Sequence, residues 1–296
     1  MNEFIYANGY SAEGDKREAL YPLFEKVFGI PADDLRDFYS RGFWDPTYWP
    51  YTWFDGTRAV ANASRFTLEL QCAGQRVQAA GIQSVMTHPD YRKRGLMRRL
   101  CERMLADADR QFSTAWLFTE TPELYIPFGF RTVPQYSFAA DWIHPGNPHG
   151  WLRRIDFSAE QDVQLIRKCF AGQEPLSQTF APVGYESSFF LHMYSPSFQQ
   201  NVYYSERLDA ILVFAVEEQT LHLYDIIGKR LPSWAKLCEE IREPFARAVL
   251  HFCPDQFAEL SFTPLPYEGT GKLMVRGLLG QELEQGMLRM PMTAAF

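Results

Sequence analysis

The chain has 296 residues with a formal net charge of −7, too long for one small domain and the length of two domains of about 150 residues each. Its 46% hydrophobic and 16% aromatic content is that of a packed globular protein and excludes a disordered one. The acidic balance argues against a general nucleic-acid binder, and no apolar run approaches membrane-spanning length.

Reading from the N-terminus, Met1-Asn2-Glu3-Phe4 lacks the basic and apolar stretches of a signal peptide. Glu3 to Ala7 is expected as a first strand, ended by the turn Asn8-Gly9. Asp15 to Phe28 has helical periodicity, with Leu20, Leu23, Phe24, Val27 and Phe28 on one side. Pro22 within that stretch predicts a helix start or a kink there. From Asp37 to Trp53 the chain is dense in aromatics (Phe38, Tyr39, Phe43, Trp44, Tyr48, Trp49, Tyr51, Trp53). Pro46 and Pro50 argue against one continuous helix in this stretch. Three strands follow as a meander: Tyr51 to Asp55, Ala59 to Leu70, and Val77 to Thr87 after the turn Ala73-Gly74.

The next segment carries the chemistry. Thr87-His88-Pro89-Asp90-Tyr91-Arg92-Lys93-Arg94-Gly95-Leu96-Met97-Arg98-Arg99-Leu100 joins that strand to a helix over Leu96 to Asp109. A basic, glycine-containing turn at a helix N-terminus suits a pyrophosphate: unpaired N–H groups point outward, and the helix dipole favours negative charge. Gly95 allows close backbone approach, and Arg92, Lys93, Arg94, Arg98 and Arg99 supply countercharge. In an acidic protein such a local basic cluster favours a small anionic ligand over a polyanion. The strand Thr114 to Thr119 comes next, then Glu120-Thr121-Pro122-Glu123-Leu124-Tyr125-Ile126-Pro127-Phe128-Gly129-Phe130, with Tyr125 expected on a short helix. Thr132 to Trp142 is expected as the strand that ends this unit.

His144-Pro145-Gly146-Asn147-Pro148-His149-Gly150 reads as a linker. Beyond it Leu152 to Asp156 is expected as a strand, and Ser158 as N-cap of a helix through Phe170, with Gln161 completing a capping box. Val202 to Ser205, Ala210 to Val216 and Thr220 to Ile227 read as strands, Pro232 to Arg242 as helix, and Ala248 to Phe252 as strand. This second half reads as a worn copy of the first. Its turn Ile227-Gly228-Lys229-Arg230-Leu231-Pro232-Ser233 has the wrong glycine-to-helix spacing and a thin basic cluster.

Five scattered cysteines (Cys72, Cys101, Cys169, Cys238, Cys253) without C-x-x-C spacing read as reduced core thiols of a cytoplasmic protein, with no zinc site. Six scattered histidines give no i, i+4 metal pair. His88 sits beside the basic turn, and both a substrate-contacting and a purely structural role are open to it.

The run Arg92-Lys93-Arg94-Gly95-Leu96-Met97 resembles motif A of the GNAT acyl-CoA-dependent N-acyltransferases, Q/R-x-x-G-x-G/A, with Met97 where the motif wants Gly or Ala. The segment around Tyr125, ending in Phe128-Gly129-Phe130, is similar to the second GNAT signature. Two signatures in order, one helix and one strand apart, strengthen the GNAT resemblance. The R-R/K-R-G-L-M/L-R form of the turn, with the worn second half, most resembles the Eis-like (enhanced intracellular survival) tandem-GNAT branch, without that branch's sterol-carrier-like third domain, for which 296 residues leave no room.

The resemblance implies an α/β fold of two tandem GNAT-like domains, each a mixed, mainly antiparallel sheet flanked by helices. Residues 1–145 would be the catalytic domain and residues 151–296 a degenerate one. It implies acetyl transfer from acetyl-CoA directly to a primary amine of a small molecule or peptide, with no metal. Val85, Met86 and Thr87 would pair with the pantetheine arm, and the loop Arg92, Lys93, Arg94, Gly95, Leu96, Met97, with Arg98, would hold the pyrophosphate. Tyr125 would protonate the departing thiolate. The strand before motif A reads Gly81, Ile82, Gln83 and Ser84 and offers no glutamate as base. Eis proteins use a C-terminal phenylalanine carboxylate, and Phe296 is the matching candidate, beside Glu120 or His88 acting through water, or no dedicated base. The aromatic stretch 37–53 lines either an amine pocket or a plain lid. The alternative function is a non-catalytic acyl-CoA-binding sensor or scaffold. No nucleic-acid or membrane partner is expected; the acceptor amine and a homo-oligomeric state are left open.

Overall fold

The computed structural model describes residues 4–278, 283 and 286–296. Its first strand, β1, is Ile5–Asn8; the expected start at Glu3 lies outside the described residues. Gly9 ends β1 at φ +65°, where an added Cβ would run into the Trp49 ring. Helix α1 (Gly14–Phe28) continues through Pro22 and stops at Gly29, whose left-handed φ of 70° places its N–H on the Glu25 carbonyl. Pro22 therefore neither starts nor ends it. Its ring faces solvent, while Leu20, Tyr21, Leu23 and Phe24 are buried.

Helix α2 (Ala32–Ser40) is followed by β2 (Trp49–Asp55), β3 (Arg58–Cys72) and β4 (Gln75–Thr87), an antiparallel meander. Helix α3 (Leu96–Ala108) then crosses to β5 (Thr114–Thr119), which pairs parallel with β4. Helices α1 and α2 cover one face of this sheet and α3 the other.

The two halves of the molecule exchange strands. After the two-residue β6 (Arg131–Thr132), β7 (Tyr136–His144) leaves the first sheet and pairs in the second. This corrects the expectation that the strand over 132–142 closes the first unit. The second sheet holds β8 (Leu152–Arg154), β10 (Val202–Ser205), β11 (Ala210–Glu217), β12 (Thr220–Gly228), β13 (Phe245–Leu250) and β14 (Thr263–Pro266) beside β7. Helix α4 (Glu160–Ala171), strand β9 (Phe180–Val183) and the short helices α5 (Glu186–Leu191) and α6 (Pro196–Gln199) intervene, and α7 (Trp234–Glu240) links β12 to β13. In return, β15 (Lys272–Gly277) inserts between β5 and β6, and β9 adds to the outer end of β3.

Both sheets are thus mixed, each with one parallel strand pair among the described residues, β4 with β5 and β12 with β13, joined through a helix. The architecture is two α/β units with flanking helices. The expected split near residues 145–151 is crossed by chain in both directions, and Gly146 and Gly150 pack against the backbone of 240–244. The N-cap of α4 is Ala159 rather than Ser158. The Ser158 hydroxyl instead donates to Asp156, and Asp162 is taken by Arg153 and the Asp156 N–H, a local side-chain competition that displaces the capping box. All five cysteines are buried and unbridged. No helix among the described residues is long and apolar enough to cross a membrane.

The C-terminal segment returns across both units. Thr293 donates its hydroxyl to the carboxylate of the fully buried Asp225 on β12, which also accepts from the Tyr185 hydroxyl at 2.8 and 2.9 Å. Burial pushes the Asp225 carboxyl up to about 6. From there the tail reaches the first sheet, where the Phe296 ring meets Phe66 at 4.8 Å and Phe118 at 5.7 Å.

Because Met274 of the exchanged strand β15 is fully buried in the core under α3, Met274→Ala should cost about 2–5 kcal/mol, the range for emptying a core side chain. Urea unfolding followed through the first unit measures this. A cost well under 1 kcal/mol would mean that β15 contributes little to that core.

Candidate active site

The first sheet opens where β4 and β5 part. Their pairing runs only through Ala80–Ala115, Gly81–Trp116 and Ile82–Leu117. Beyond Ile82, β4 continues to Thr87 still paired with β3, but among the described residues no strand pairs with its other edge. Backbone N–H and C=O groups along that edge are available to an extended ligand. Val85, Met86 and Thr87 are on this stretch.

A bulge shapes it. Between the pairs Ser64–Gln83 and Asn62–Met86, strand β4 carries one extra residue, and Ser84 takes a left-handed φ of 55°. The bulge reverses the alternation of side chains, so Met86 packs beneath α1 while Val85 packs on the α3 side. It is held from below: the fully buried Asn62 donates its amide to the Ser84 carbonyl and to Ser64 Oγ, both at 2.8 Å. Asn62 Oδ1 accepts from Thr52 at 2.6 Å, Thr52 meets the Tyr10 hydroxyl, and Ser64 donates to the Tyr48 hydroxyl at 2.7 Å. Tyr10, Tyr48, Thr52, Asn62 and Ser64 are all buried and partnered, the condition under which buried polar groups rigidify a structure.

The basic turn follows at the end of β4. Pro89–Tyr91 forms a 3-10 turn, Lys93 and Gly95 both take positive φ (61° and 69°), and α3 begins at Leu96 without any side-chain cap. The first backbone bond of the helix is from the Arg99 N–H to the Gly95 carbonyl. The earlier N–H groups are left facing outward, a nest for an anion. Nothing lies within 4 Å of a Cβ built on Gly95, so glycine is required for the turn's hand. Arg92, Lys93, Arg94 and Arg98 are exposed and have no carboxylate partner among the described residues. Arg94 leans on the Tyr91 ring, and Arg99 and Arg103 are committed to the Trp53 face. Leu96 is buried and Met97 half-buried.

Tyr125 sits between two 3-10 turns, Pro122–Leu124 and Ile126–Phe128, in place of the short helix expected there. The prolines at 122 and 127 each open one turn and prevent a continuous α-helix. Its ring is buried among Phe130, Cys101 and the α3-side core, and its hydroxyl has no hydrogen-bond partner among the described residues. Burial pushes its ionisation well above the usual phenol value, which keeps it a proton donor.

The other candidates are distributed unevenly. Phe296 stands at the parting of the strands but on the opposite face from Tyr125, among Phe66 and Phe118. His88 is turned away from it: Nε2 is 2.6 Å from Arg58, Nδ1 accepts from the Asp90 N–H at 3.3 Å, and burial followed by Arg58 lowers its pKa. Glu120 is exposed. Of the aromatic stretch, Trp44 and Tyr48 line a cleft with Phe24, Phe38 and Phe66, beside Gln83 and Ser84 of β4. Sequence reasoning missed Asn62 and Ser84, though polar residues at 62 and 64 inside an otherwise apolar strand were the available signal. It also missed Ser187, Ser188 and Leu191, which close this cleft from the second half. Among the described residues no three potential metal ligands stand together.

A mixed sheet parted between two parallel strands thus leads directly into a basic nest at the following helix. Residues 11–133 match the family model described as an acetyltransferase (GNAT) domain, and this stretch of the chain is a GNAT N-acetyltransferase domain. The whole fold is similar to Eis1 from Mycobacterium abscessus (14% identity, 92% of this chain and 73% of that one, TM-score 0.59). It is also similar to a probable N-acyltransferase from Enterococcus faecalis (14%, 93% and 72%, 0.57). A third likeness is to a GCN5-related N-acetyltransferase from Kribbella flavida (16%, 92% and 72%, 0.53). No curated protein matches the chain in sequence.

Each charge-assisted hydrogen bond to phosphate contributes about 1.5–3 kcal/mol, so Arg92→Glu or Arg94→Glu should weaken coenzyme A binding at least tenfold by calorimetric titration. Unchanged affinity in both variants would remove the turn from the binding site.

Proposed function

We propose that the protein transfers the acetyl group of acetyl-CoA directly to a primary amine. The observation that carries this reading is the unpaired edge of β4 running from the parting at Ile82 into the nest at Lys93–Gly95. An extended amide-bearing arm fits the edge, and a pyrophosphate fits the nest.

Val85, Met86 and Thr87 offer backbone groups to the pantetheine arm, and Arg92, Lys93, Arg94 and Arg98, with the N–H groups of Gly95 to Met97, hold the pyrophosphate. Acetyl-CoA supplies the activated thioester. The chain's own part is then mainly positioning: the bulge at Ser84 aims the strand, and the cleft beside it presents the amine. A C–N bond forms as the C–S bond breaks; the amine's proton leaves to a base, and the departing sulfur takes a proton from Tyr125. Where Phe296 is the last residue of the chain, its carboxylate is the base in this reading, supported by the position of its ring at the parting of the strands.

The second half carries no coenzyme A in this reading. At the N-terminus of α7 the Glu259 carboxylate already accepts from the Trp234 N–H at 3.2 Å, and Lys229 packs over Gly172. One N–H of that helix start is thereby taken by a carboxylate, where the start of α3 carries none.

Tyr125→Phe keeps the ring's packing and removes only the donor. Its kcat should fall about 10²–10⁴-fold, the usual loss for one general acid, with acetyl-CoA affinity unchanged by calorimetry. Since burial raises the phenol's pKa, the native kcat should show no basic-side loss of this acid below about pH 10. Wild-type kcat in the variant would take Tyr125 out of the mechanism and favour an acyl-CoA-binding sensor.

A further inference from the structure

The cleft on the α1–α2 face of β4 has a chemistry of its own. Its walls are the rings of Phe24, Phe38, Trp44, Tyr48 and Phe66, closed by Leu191. The rings brace one another: Trp44 stands edge-on to Tyr48 at 5.2 Å and to Phe38 at 5.9 Å. Phe66 is fixed by the absence of a side chain at Gly81, where a Cβ would lie 2.2 Å from its ring. One end of the cleft is formed by Gln83 and Ser84, next to the parting of the strands, so an amine seated in it approaches the open edge of β4.

Among the lining residues, Asp45 alone carries a charge. Its Oδ1 accepts from the N–H and hydroxyl of Thr47 at 2.7 and 2.6 Å, and Thr47 Oγ1 in turn accepts from the Thr67 N–H of β3 at 2.8 Å. That anchors the carboxylate to the sheet and leaves Oδ2 without a hydrogen-bond partner among the described residues. The indole Nε1 of Trp44 is buried and also unpartnered.

We infer that the acceptor is a primary monoamine on an aryl or alkyl body, admitted as its ammonium ion beside Asp45 and the aromatic faces. This rests on the acetyltransferase reading above. A single ammonium gains from the one carboxylate and from the rings. A triamine or an aminoglycoside brings further charges that the cleft cannot pair, and burying them against phenyl rings is costly. The apolar body replaces water along walls that have few polar groups to lose.

The test is turnover with acetyl-CoA on 2-phenylethylamine, tryptamine, hexylamine, spermidine and kanamycin, together with calorimetric binding of 2-phenylethylamine and its neutral isostere 2-phenylethanol. The arylalkylamines should show kcat/KM at least tenfold above spermidine and kanamycin. Asp45→Asn, which keeps Oδ1 and the Thr47 turn, should weaken 2-phenylethylamine about tenfold and leave 2-phenylethanol unchanged, a difference that mere loss of fold cannot produce. Preference for spermidine or kanamycin would overturn the substrate class while leaving acetyl transfer standing. Binding of 2-phenylethylamine with the Asp45 dependence but no turnover of any amine would keep the class and overturn the transferase reading. No binding of 2-phenylethylamine would overturn the inference.

Discussion

The parting of β4 from β5 after Ile82 and Leu117 is the constraint on which the rest of the site depends. A parallel pair can separate only if each strand keeps a partner on its far side. Here β3 holds β4 through Thr87, and the exchanged strand β15 holds β5 along its whole length. The bulge at Ser84 then turns the free part of β4, and the Asn62 amide makes that turn permanent by taking the carbonyl that the bulge would otherwise leave unpaired. The left-handed Ser84 is a small local strain offset by a buried, fully partnered network. One edge, one nest and one cleft all lie within reach of this opening.

The strand exchange gives the second half a structural role that its thin basic cluster alone would not. It returns β15 to the first sheet and adds β9 to β3. It also closes the aromatic cleft with α5 and anchors the C-terminal segment through Asp225 and Thr293. The halves therefore share core and site. At the start of α3 no carboxylate meets the first N–H groups, whereas at the start of α7 Glu259 accepts from the Trp234 N–H.

How much of this could be read from sequence follows from where the information lies. The basic turn and α3 are local: glycine at a left-handed position, arginines around it and an apolar helix face after it leave few alternatives. Most central strands are local too, since their apolar runs end at glycine turns such as Gly74. What could not be read depends on distant partners. Tyr136–His144 alternates as well as any strand of the first sheet, and only its pairing with β13 and β14 assigns it to the second. Leu273, Met274 and Val275 form a short apolar run whose place beside β5 has no local cue. Ser158 looks like an N-cap until Asp156 takes its hydroxyl. That Trp44 and Tyr48 of the 37–53 stretch line a cleft follows only from α5, more than a hundred residues later, which closes it.

The central claim is that one ligand runs along the free edge of β4 into the nest at the start of α3, and nowhere else. Backbone hydrogen exchange with and without acetyl-CoA tests it directly. The account predicts protection of the amides of Val85 to Thr87 and of Lys93 to Arg98, with the turn from Gly228 to Trp234 unchanged. Protection confined to the second turn, or none at Val85 to Arg98 under saturating acetyl-CoA, would contradict it.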